Sequence, residues 1–178
     1  MMSPISETKR LILRQISLTD RIDMFEMDAD PLVHRYIFNQ PIESIQEIDE
    51  AIQFIQKQYQ ENGIGRWAIV KKDNMEMIGW CGLKYIDYPL NGRSNFYDLG
   101  YRLKRKHWGN GYASEACIAT VIYAKEVMNL KNLYATVHPE NIGSMNVLKK
   151  MGFEIGEIFD YEGSPSFFCE LDLDKFIF

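Results

Sequence analysis

The hydrophobic positions along the chain follow two different periods, which predicts a protein of mixed strands and helices. Apolar residues recur at helical spacing in several segments, most clearly at Ile48, Ile52 and Ile55. Shorter apolar runs with strand-like patterning separate these segments. The predicted strands lie near residues 9–14, 66–71, 77–85, 97–103, 133–137, 153–159 and 167–173. Strands that alternate with helices favour an α/β (α+β) fold, in which a twisted mixed sheet of about seven strands has helices on both faces.

The predicted helices carry local signals for their ends. Ser44 and Glu47 form a capping-box pattern, and Asn62-Gly63 ends the same helix. Further helices are predicted for residues 17–28, after Pro31, and for residues 112–128 and 141–151. The sequence has no repeat, low-complexity tract or linker-like stretch, so we expect a single domain over residues 1–178.

A glycine turn between a predicted strand and a long apolar helix is the clearest indication of chemistry. The turn reads Trp108-Gly109-Asn110-Gly111-Tyr112 and opens directly into the helix. Glycine permits a tight turn and removes the Cβ atoms that would keep a ligand from the backbone amides. The first amides of a helix have no internal partner and lie at the positive end of its dipole. The segment therefore predicts an anion site, most naturally for a phosphate or pyrophosphate. Its spacing fits neither a Walker loop nor the dinucleotide fingerprint.

A second strand-to-helix unit follows about thirty residues later. The strand-like residues 133–137 lead into Asn141-Ile142-Gly143-Ser144, and Lys149-Lys150-Met151-Gly152-Phe153 follows. The two units in this order, with Gly100-Tyr101-Arg102-Leu103 ahead of the glycine turn, resemble the GNAT acetyltransferase superfamily. The wording of the motifs is similar to its ribosomal-protein-alanine N-acetyltransferase branch. The resemblance runs from about Glu7 to the C-terminus.

The resemblance implies that the anion is the pyrophosphate of acetyl-coenzyme A. The pantetheine arm would pair like a strand with the backbone of Tyr101, Arg102 and Leu103, and Asn141 would contact the arm or simply cap its helix. The position three before Gly109 is usually Gln or Arg in the superfamily and is Lys106 here. Lys104 and His107 either add charge beside it or belong to a solvated basic turn. The pyrophosphate would lie on the amides of Gly109, Asn110, Gly111, Tyr112, Ala113 and Ser114.

Acetyl transfer to an amine requires deprotonation of the amine, polarisation of the thioester carbonyl and a proton for the leaving thiolate. Many superfamily members protonate the thiolate with a tyrosine at the position that is Leu148 here. Ser144 matches the serine of the ribosomal-protein branch, so Ser144 is our candidate donor. A small helix residue that bonds the preceding turn is the alternative for Ser144.

The candidates for the base are less distinct. Asp98 lies on the strand that would flank the acetyl group, where strand propensity disfavours aspartate. A structural salt bridge explains Asp98 equally well. His138 follows the strand before Asn141 and carries an imidazole, a common general base, but it is also consistent with a structural role. A water relay without a single essential base is the third alternative.

These features predict an acyltransferase: an acetyl-coenzyme A-dependent N-acetyltransferase that acts on a primary amine by direct attack. The acceptor would be a protein N-terminus or a small-molecule amine. The alternative is a coenzyme A-binding sensor without catalysis, because Leu148 replaces the usual tyrosine. We expect acetyl-coenzyme A as cosubstrate and no metal.

Composition narrows the partners and the compartment. The net charge of −5 over 178 residues argues against nucleic acid as the main partner. The cysteines, which number 3, fit neither a metal spacing nor a disulfide framework, so we expect them to be reduced and structural. The sequence has no membrane-length apolar run and no secretory segment. We therefore expect a cytoplasmic protein without a membrane partner, as a monomer or a homodimer.

Overall fold

The computed structural model describes residues 4–177, which form one open mixed sheet with helices on both faces. The sheet order is β1-β2-β3-β4-β5-β6-β8-β7, and every neighbouring pair is antiparallel except β5 with β6. The strands are β1 (Ser6–Glu7), β2 (Leu11–Gln15), β3 (Arg66–Lys71), β4 (Met77–Ile86), β5 (Phe96–Leu103), β6 (Asn132–Val137), β7 (Glu154–Tyr161) and β8 (Ser164–Asp172). The helices are α1 (Arg21–Asp28), α2 (Pro31–His34), α3 (Ile45–Asn62), α4 (Tyr112–Glu126) and α5 (Ile142–Lys150), with short 3-10 turns at Leu18–Asp20 and Arg105–His107.

The predicted α/β architecture is confirmed, with one difference in the strand count. The additional strand is β1, whose two residues pair with Leu13 and Ile12 of β2. A strand of two residues is too short to produce a hydrophobic period, so the sequence pattern does not reveal it.

The sheet is apolar on both faces because helices cover both of them. On β3, Trp67 and Ile69 point to the face that α4 covers, whereas Ala68 and Val70 point to the face that α1 and α3 cover. Successive strand residues point to opposite faces, so a doubly covered strand reads as a continuous apolar run. The longest helix, α3, begins and ends where its sequence signals predict. Its capping Ser44 accepts from Glu47 N at 3.4 Å and donates its own N–H to Glu47 Oε1 at 2.8 Å.

The sheet opens between β5 and β6. β4 and β5 pair from Gly79–Leu103 to Ile86–Phe96, but β5 and β6 pair only at Asp98 and Tyr134. Beyond that pair, the two parallel strands separate, and in the part of the chain described here no other strand fills the gap. The opening is a cleft between the two halves of the sheet.

The cysteines are buried and free, as predicted for structural thiols. Cys81 of β4 and Cys117 of α4 pack together in the core, with their sulfurs 3.7 Å apart. No helix within residues 4–177 is long and apolar enough to cross a membrane.

Candidate active site

The cleft between β5 and β6 leads into a cavity of about 830 Å³. Its walls are α2 and the residues after it, the end of β5, the glycine turn with the start of α4, and the start of α5. The structure brings most of the predicted site residues to this cavity. Those that line it are Tyr101, Arg102, Leu103, Gly109, Gly111, Tyr112, Ala113, Ser114, Asn141 and Ser144. Asn110 and Asp98 do not line it.

The glycine turn has the backbone conformation that the anion-site prediction requires. Gly109 and Gly111 have φ angles of 74° and 77°, and Gly111 is the N-cap of α4. A Cβ atom at Gly109 would meet nothing within 4 Å, and at Gly111 it would come no closer than 3.5 Å to Arg10. The left-handed backbone, not lack of space, is therefore what requires glycine at both positions. The turn presents the free amides at the start of α4 to the cavity.

Side chains from the N-terminal part of the chain support the turn from outside the cavity. Arg10 Nη1 donates to the Asn110 carbonyl at 3.0 Å, and Arg10 Nε donates to Glu115 at 2.6 Å. The Arg10 guanidinium also lies 4.3 Å from the centre of the Tyr112 ring. Burial opposes the charge on Glu115, but bonds from Thr8 and Arg10 outweigh it and lower the pKa of that carboxyl. Sequence reasoning missed this support, since 105 positions separate Arg10 from Glu115.

The basic side chains just before the glycine turn are engaged within the protein. Lys104 is 3% exposed, and its Nζ lies 2.6 Å from both Asp23 and Glu26. Lys106 pairs with Glu26 at 3.0 Å and with Glu76 at 2.9 Å. Neither lysine lines the cavity. The predicted anion site would therefore consist of backbone amides and the dipole of α4, without these two side chains.

His107 lines the cavity, and its Nε2 lies 3.3 Å from Glu76, which also pairs with Lys106. The hydrogen bond from Lys106, together with those from His107 and Asn74, lowers the pKa of Glu76 to about 2. Glu76 is therefore ionised at neutral pH and holds the basic turn in place.

Two hydroxyl groups meet beside the start of α5. Asn141 caps this helix, because its Oδ1 accepts from Ser144 N at 3.1 Å. The Tyr101 hydroxyl, from β5, donates to Ser144 Oγ at 3.2 Å. Burial raises the pKa of Tyr101 above its usual value, so the phenol stays protonated at neutral pH. Leu148, at the position of the superfamily's usual tyrosine, is buried in the core.

Asp98 forms a structural ion pair at the point where the strands separate. Its Oδ2 accepts from Arg66 at 2.7 Å, and Arg66 also donates to the Asp98 carbonyl at 2.9 Å. Burial raises the pKa of Asp98, while Arg66 acts in the opposite direction. The alternative that the sequence left open, a salt bridge, is the arrangement that the structure has. A role for Asp98 as base stays a prediction.

His138 lies at the exit of β6 and also does not line the cavity. Its Nδ1 accepts from Glu140 N at 3.2 Å, which leaves the proton of the neutral ring on Nε2. The ring stacks on Tyr36, with the ring centres 5.2 Å apart. Its unprotonated nitrogen is thus engaged with the backbone, an arrangement that does not favour proton removal from an acceptor.

A candidate anion site and a hydroxyl pair lie on one cavity, an arrangement suited to a transferase. Comparison with known proteins specifies that class further. Residues 10–154 match the family model for the acetyltransferase (GNAT) domain. The chain belongs to the GNAT acetyltransferase family, and it is an enzyme of the N-acetyltransferase kind.

Similar proteins agree with this assignment. The chain is 36% identical over 156 residues to p20 of Bacillus licheniformis, described as an uncharacterized N-acetyltransferase; the match covers 87% of this chain and 85% of p20. The fold is similar to spermidine N-acetyltransferase from Vibrio cholerae in complex with CoA and spermine, with a TM-score of 0.74, 20% identity and coverage of 94% and 98%. It is also similar to ribosomal-protein-S5-alanine acetyltransferase from Vibrio fischeri, with a TM-score of 0.73, 17% identity and coverage of 97% and 98%.

Proposed function

We propose that the protein transfers the acetyl group of acetyl-coenzyme A to a primary amine by direct attack in the cleft between β5 and β6. The observation that carries the proposal is that an amide-lined anion site and a hydroxyl pair share one cavity. The anion site fits the phosphate end of the donor, and the hydroxyl pair fits the chemistry at its thioester end.

The residues present fit acetyl-coenzyme A along its length. The amides of Tyr112, Ala113 and Ser114 suit the pyrophosphate, because they lack helix partners and lie at the positive end of α4. The pantetheine arm contains amide groups. From Tyr101 to Leu103, the edge of β5 that faces β6 has no strand partner among the residues described. The helix cap uses Oδ1 of Asn141 and not its side-chain nitrogen Nδ2. Asn141 can therefore cap α5 and also contact the pantetheine arm.

Ser144 supplies the proton for the leaving thiolate, and Tyr101 orients the Ser144 hydroxyl. Because Ser144 Oγ accepts its hydrogen bond from Tyr101, the Ser144 hydrogen remains free to be donated to sulfur. The Tyr101 hydroxyl keeps its own proton and orients Ser144, and the proton that the amine loses restores the Ser144 hydroxyl through water. The Ser144 hydroxyl on α5, supported by Tyr101 on β5, thus protonates the thiolate in place of the tyrosine that Leu148 replaces. This assignment favours catalysis over a sensor without turnover.

Water accepts the proton that the amine loses. The Asp98 carboxylate is committed to Arg66, and the Nδ1 of His138 is committed to Glu140 N. We therefore assign Asp98 to the ion pair that fixes β5 against Arg66, and proton removal to a water relay. A neutral amine attacks a thioester directly once it is positioned, so no covalent enzyme intermediate is required.

The similar structures name a polyamine and a protein alanine as acceptors, and both offer a primary amine. The proposal is therefore for a primary amine and names no particular acceptor. A thiol-release assay with acetyl-coenzyme A and a panel of amines, including polyamines and peptides, tests it. We expect thiol release in step with acetylated amine measured by mass spectrometry. Tight coenzyme A binding without turnover on any amine would instead establish a coenzyme A-binding module without catalysis.

A further inference from the structure

Residues 35–39, which follow α2, cross the open end of the cleft and are called here the strap. Tyr36 lines the cavity, and its ring stacks on His138 at the exit of β6, with an interplanar angle of 30°. Phe38 contacts Tyr161 of β7, with the ring centres 5.9 Å apart. The strap therefore begins on the α2 side of the cleft and contacts the β6–β7 side.

The strap is attached to β5 through a buried cluster. The His34 carbonyl accepts from Ile37 N at 2.9 Å and from Asn39 N at 3.1 Å. The His34 ring is buried, with Nε2 3.3 Å from Arg102 Nη1, and the same Nη1 donates to Asp28 at 2.6 Å. A continuous set of contacts thus runs from Arg102 on β5, through His34 and Tyr36, to His138 after β6.

The register of the sheet places this set of contacts across the gap between β5 and β6. Arg102 and His138 each lie four positions beyond the paired residues Asp98 and Tyr134. Residues at equal distances from a parallel pairing point lie at the same level of the sheet. The strap therefore spans the cleft at the level where the two strands have already separated.

The strap contains a backbone conformation that is uncommon outside glycine. Phe38 and Asn39 are consecutive non-glycine residues with φ angles of 55° and 51°. Phe38 is 42% exposed, so burial of its ring does not account for the conformation. Strained backbone of this kind is concentrated at functional sites, where the surrounding contacts fix it.

The strap and the donor's anion site use different faces of the sheet. α4 packs on the face that carries the Tyr101 side chain, and α1 and α2 lie on the face that carries the Arg102 side chain. A donor whose phosphates lie at the start of α4 leaves the other face for the acceptor. The strap covers that approach.

We propose that Tyr36 is a specificity-determining residue that restricts the acceptor to amines carried at the end of a slender, unbranched chain. The inference rests on the proposed function. The stacked Tyr36 and His138 rings leave no room between them, so an acceptor passes beneath the strap. A polypeptide α-amine sits on a carbon that carries both a side chain and the rest of the chain. A terminal amine on a methylene chain presents only the width of that chain.

The test compares two acceptors, 1,4-diaminobutane and trialanine amide, in the wild type, Tyr36→Ala and Tyr36→Phe. We expect the wild type to have the higher kcat/KM on the diamine. Tyr36→Ala should shift the kcat/KM ratio toward the peptide by about tenfold, the low end of what one shape change in a pocket contributes. Tyr36→Phe keeps the ring and should stay within about twofold of the wild-type ratio. Coenzyme A affinity, measured by calorimetry, should be the same in all three.

The possible results separate the inference from the proposed function. A wild type that prefers the peptide would overturn the inference and leave the acetyltransferase function standing. An unchanged ratio in Tyr36→Ala, or equal losses on both acceptors, would also overturn it, since a purely structural tyrosine affects both acceptors alike. If the wild type acetylates neither these acceptors nor any other amine, the proposed function fails and the inference fails with it.

Discussion

The two sides of the cleft are built by different means. On the side proposed for the donor, called here the donor side, the glycine turn, the start of α4 and the cap of α5 present backbone groups, and their geometry follows from Gly109, Gly111 and Asn141. On the side proposed for the acceptor, called here the acceptor side, α1, α2 and the strap are held by side chains from distant parts of the sequence. The first side depends on local conformation, and the second depends on ion pairs and ring contacts that only the folded chain brings together.

Residues 102–106 contribute to both sides of the cleft. This explains why their basic side chains are not part of the predicted anion site. The backbone of residues 102–106 leads into the glycine turn, while its basic side chains pair with acidic residues of α1, with Asp30 just before α2, and with Glu76. Those pairs include Arg102 with Asp28 at 2.6 Å and Arg105 with Asp30 at 2.8 Å. A basic run beside a phosphate loop is therefore not by itself evidence of phosphate contact.

The largest effect should come from breaking the buried ion pair of the acceptor side. Asp28→Asn leaves Arg102 without its counter-charge, where the two side chains are 6% and 18% exposed. Removal of one partner of a buried pair costs about 3–5 kcal/mol, and we expect the low end for the isosteric amide. Urea unfolding measures the change. The matched control, Asp30→Asn, removes the charge that pairs with the exposed Arg105 and keeps a side chain that can cap α2, so it should cost less than about 1 kcal/mol. Equal losses from the two variants would contradict the distinction between them.

The hydroxyl pair on the donor side should control turnover but not donor binding. Ser144→Ala should lower kcat about a hundredfold, the low end for a positioned general acid, because a thiolate is already a good leaving group. The KM for acetyl-coenzyme A should hardly change, since the interaction strengthens only in the transition state. Steady-state kinetics, read with a thermal melt, measure both. A variant with full kcat would leave solvent as the proton donor, and a raised KM with normal kcat would make Ser144 a binding residue.

The glycine turn should matter more for coenzyme A binding than the basic side chains that precede it. Gly111→Val forces a β-branched residue into a φ of 77°. Such strain costs about 1–3 kcal/mol, so we expect the Kd for coenzyme A to rise about tenfold or more. Lys106→Ala should change the Kd less than about threefold, because Lys106 is paired with Glu26 and Glu76 outside the cavity. Calorimetry on the two variants decides the matter, and similar losses would show that side-chain charge holds the phosphates.

The smallest effect concerns the pH dependence of stability. Glu76 has a folded-state pKa of about 2 against an ordinary value of 4.5, so its contribution is complete above pH 4.5. That contribution is lost as the pH falls through this window, because the folded protein resists protonation more than the unfolded chain. Glu76→Gln should therefore lose less stability than the wild type between about pH 6 and about pH 3, by less than about 1 kcal/mol. Urea unfolding at both pH values measures the difference, and parallel losses would exclude this role for Glu76.

Much of the fold and of the donor side could be predicted from the sequence because their signals are local. The capping box at Ser44, the left-handed glycines at 109 and 111, and the Asn141 cap each depend on a few neighbouring residues. The apolar run of β3 and the helical spacing of α3 likewise report how the segments are buried. The two-residue β1 was missed because pairing, not a pattern, defines it.

The sequence by itself determined the element order, the glycine turn and the family resemblance, since backbone conformation follows from adjacent residues. Only the tertiary structure decided that Asp98 binds Arg66, that Lys104 and Lys106 face acidic partners, and that Tyr101 reaches Ser144 across 43 positions. A side chain's partner is set by strand register and helix packing over the whole chain. No local pattern carries that information.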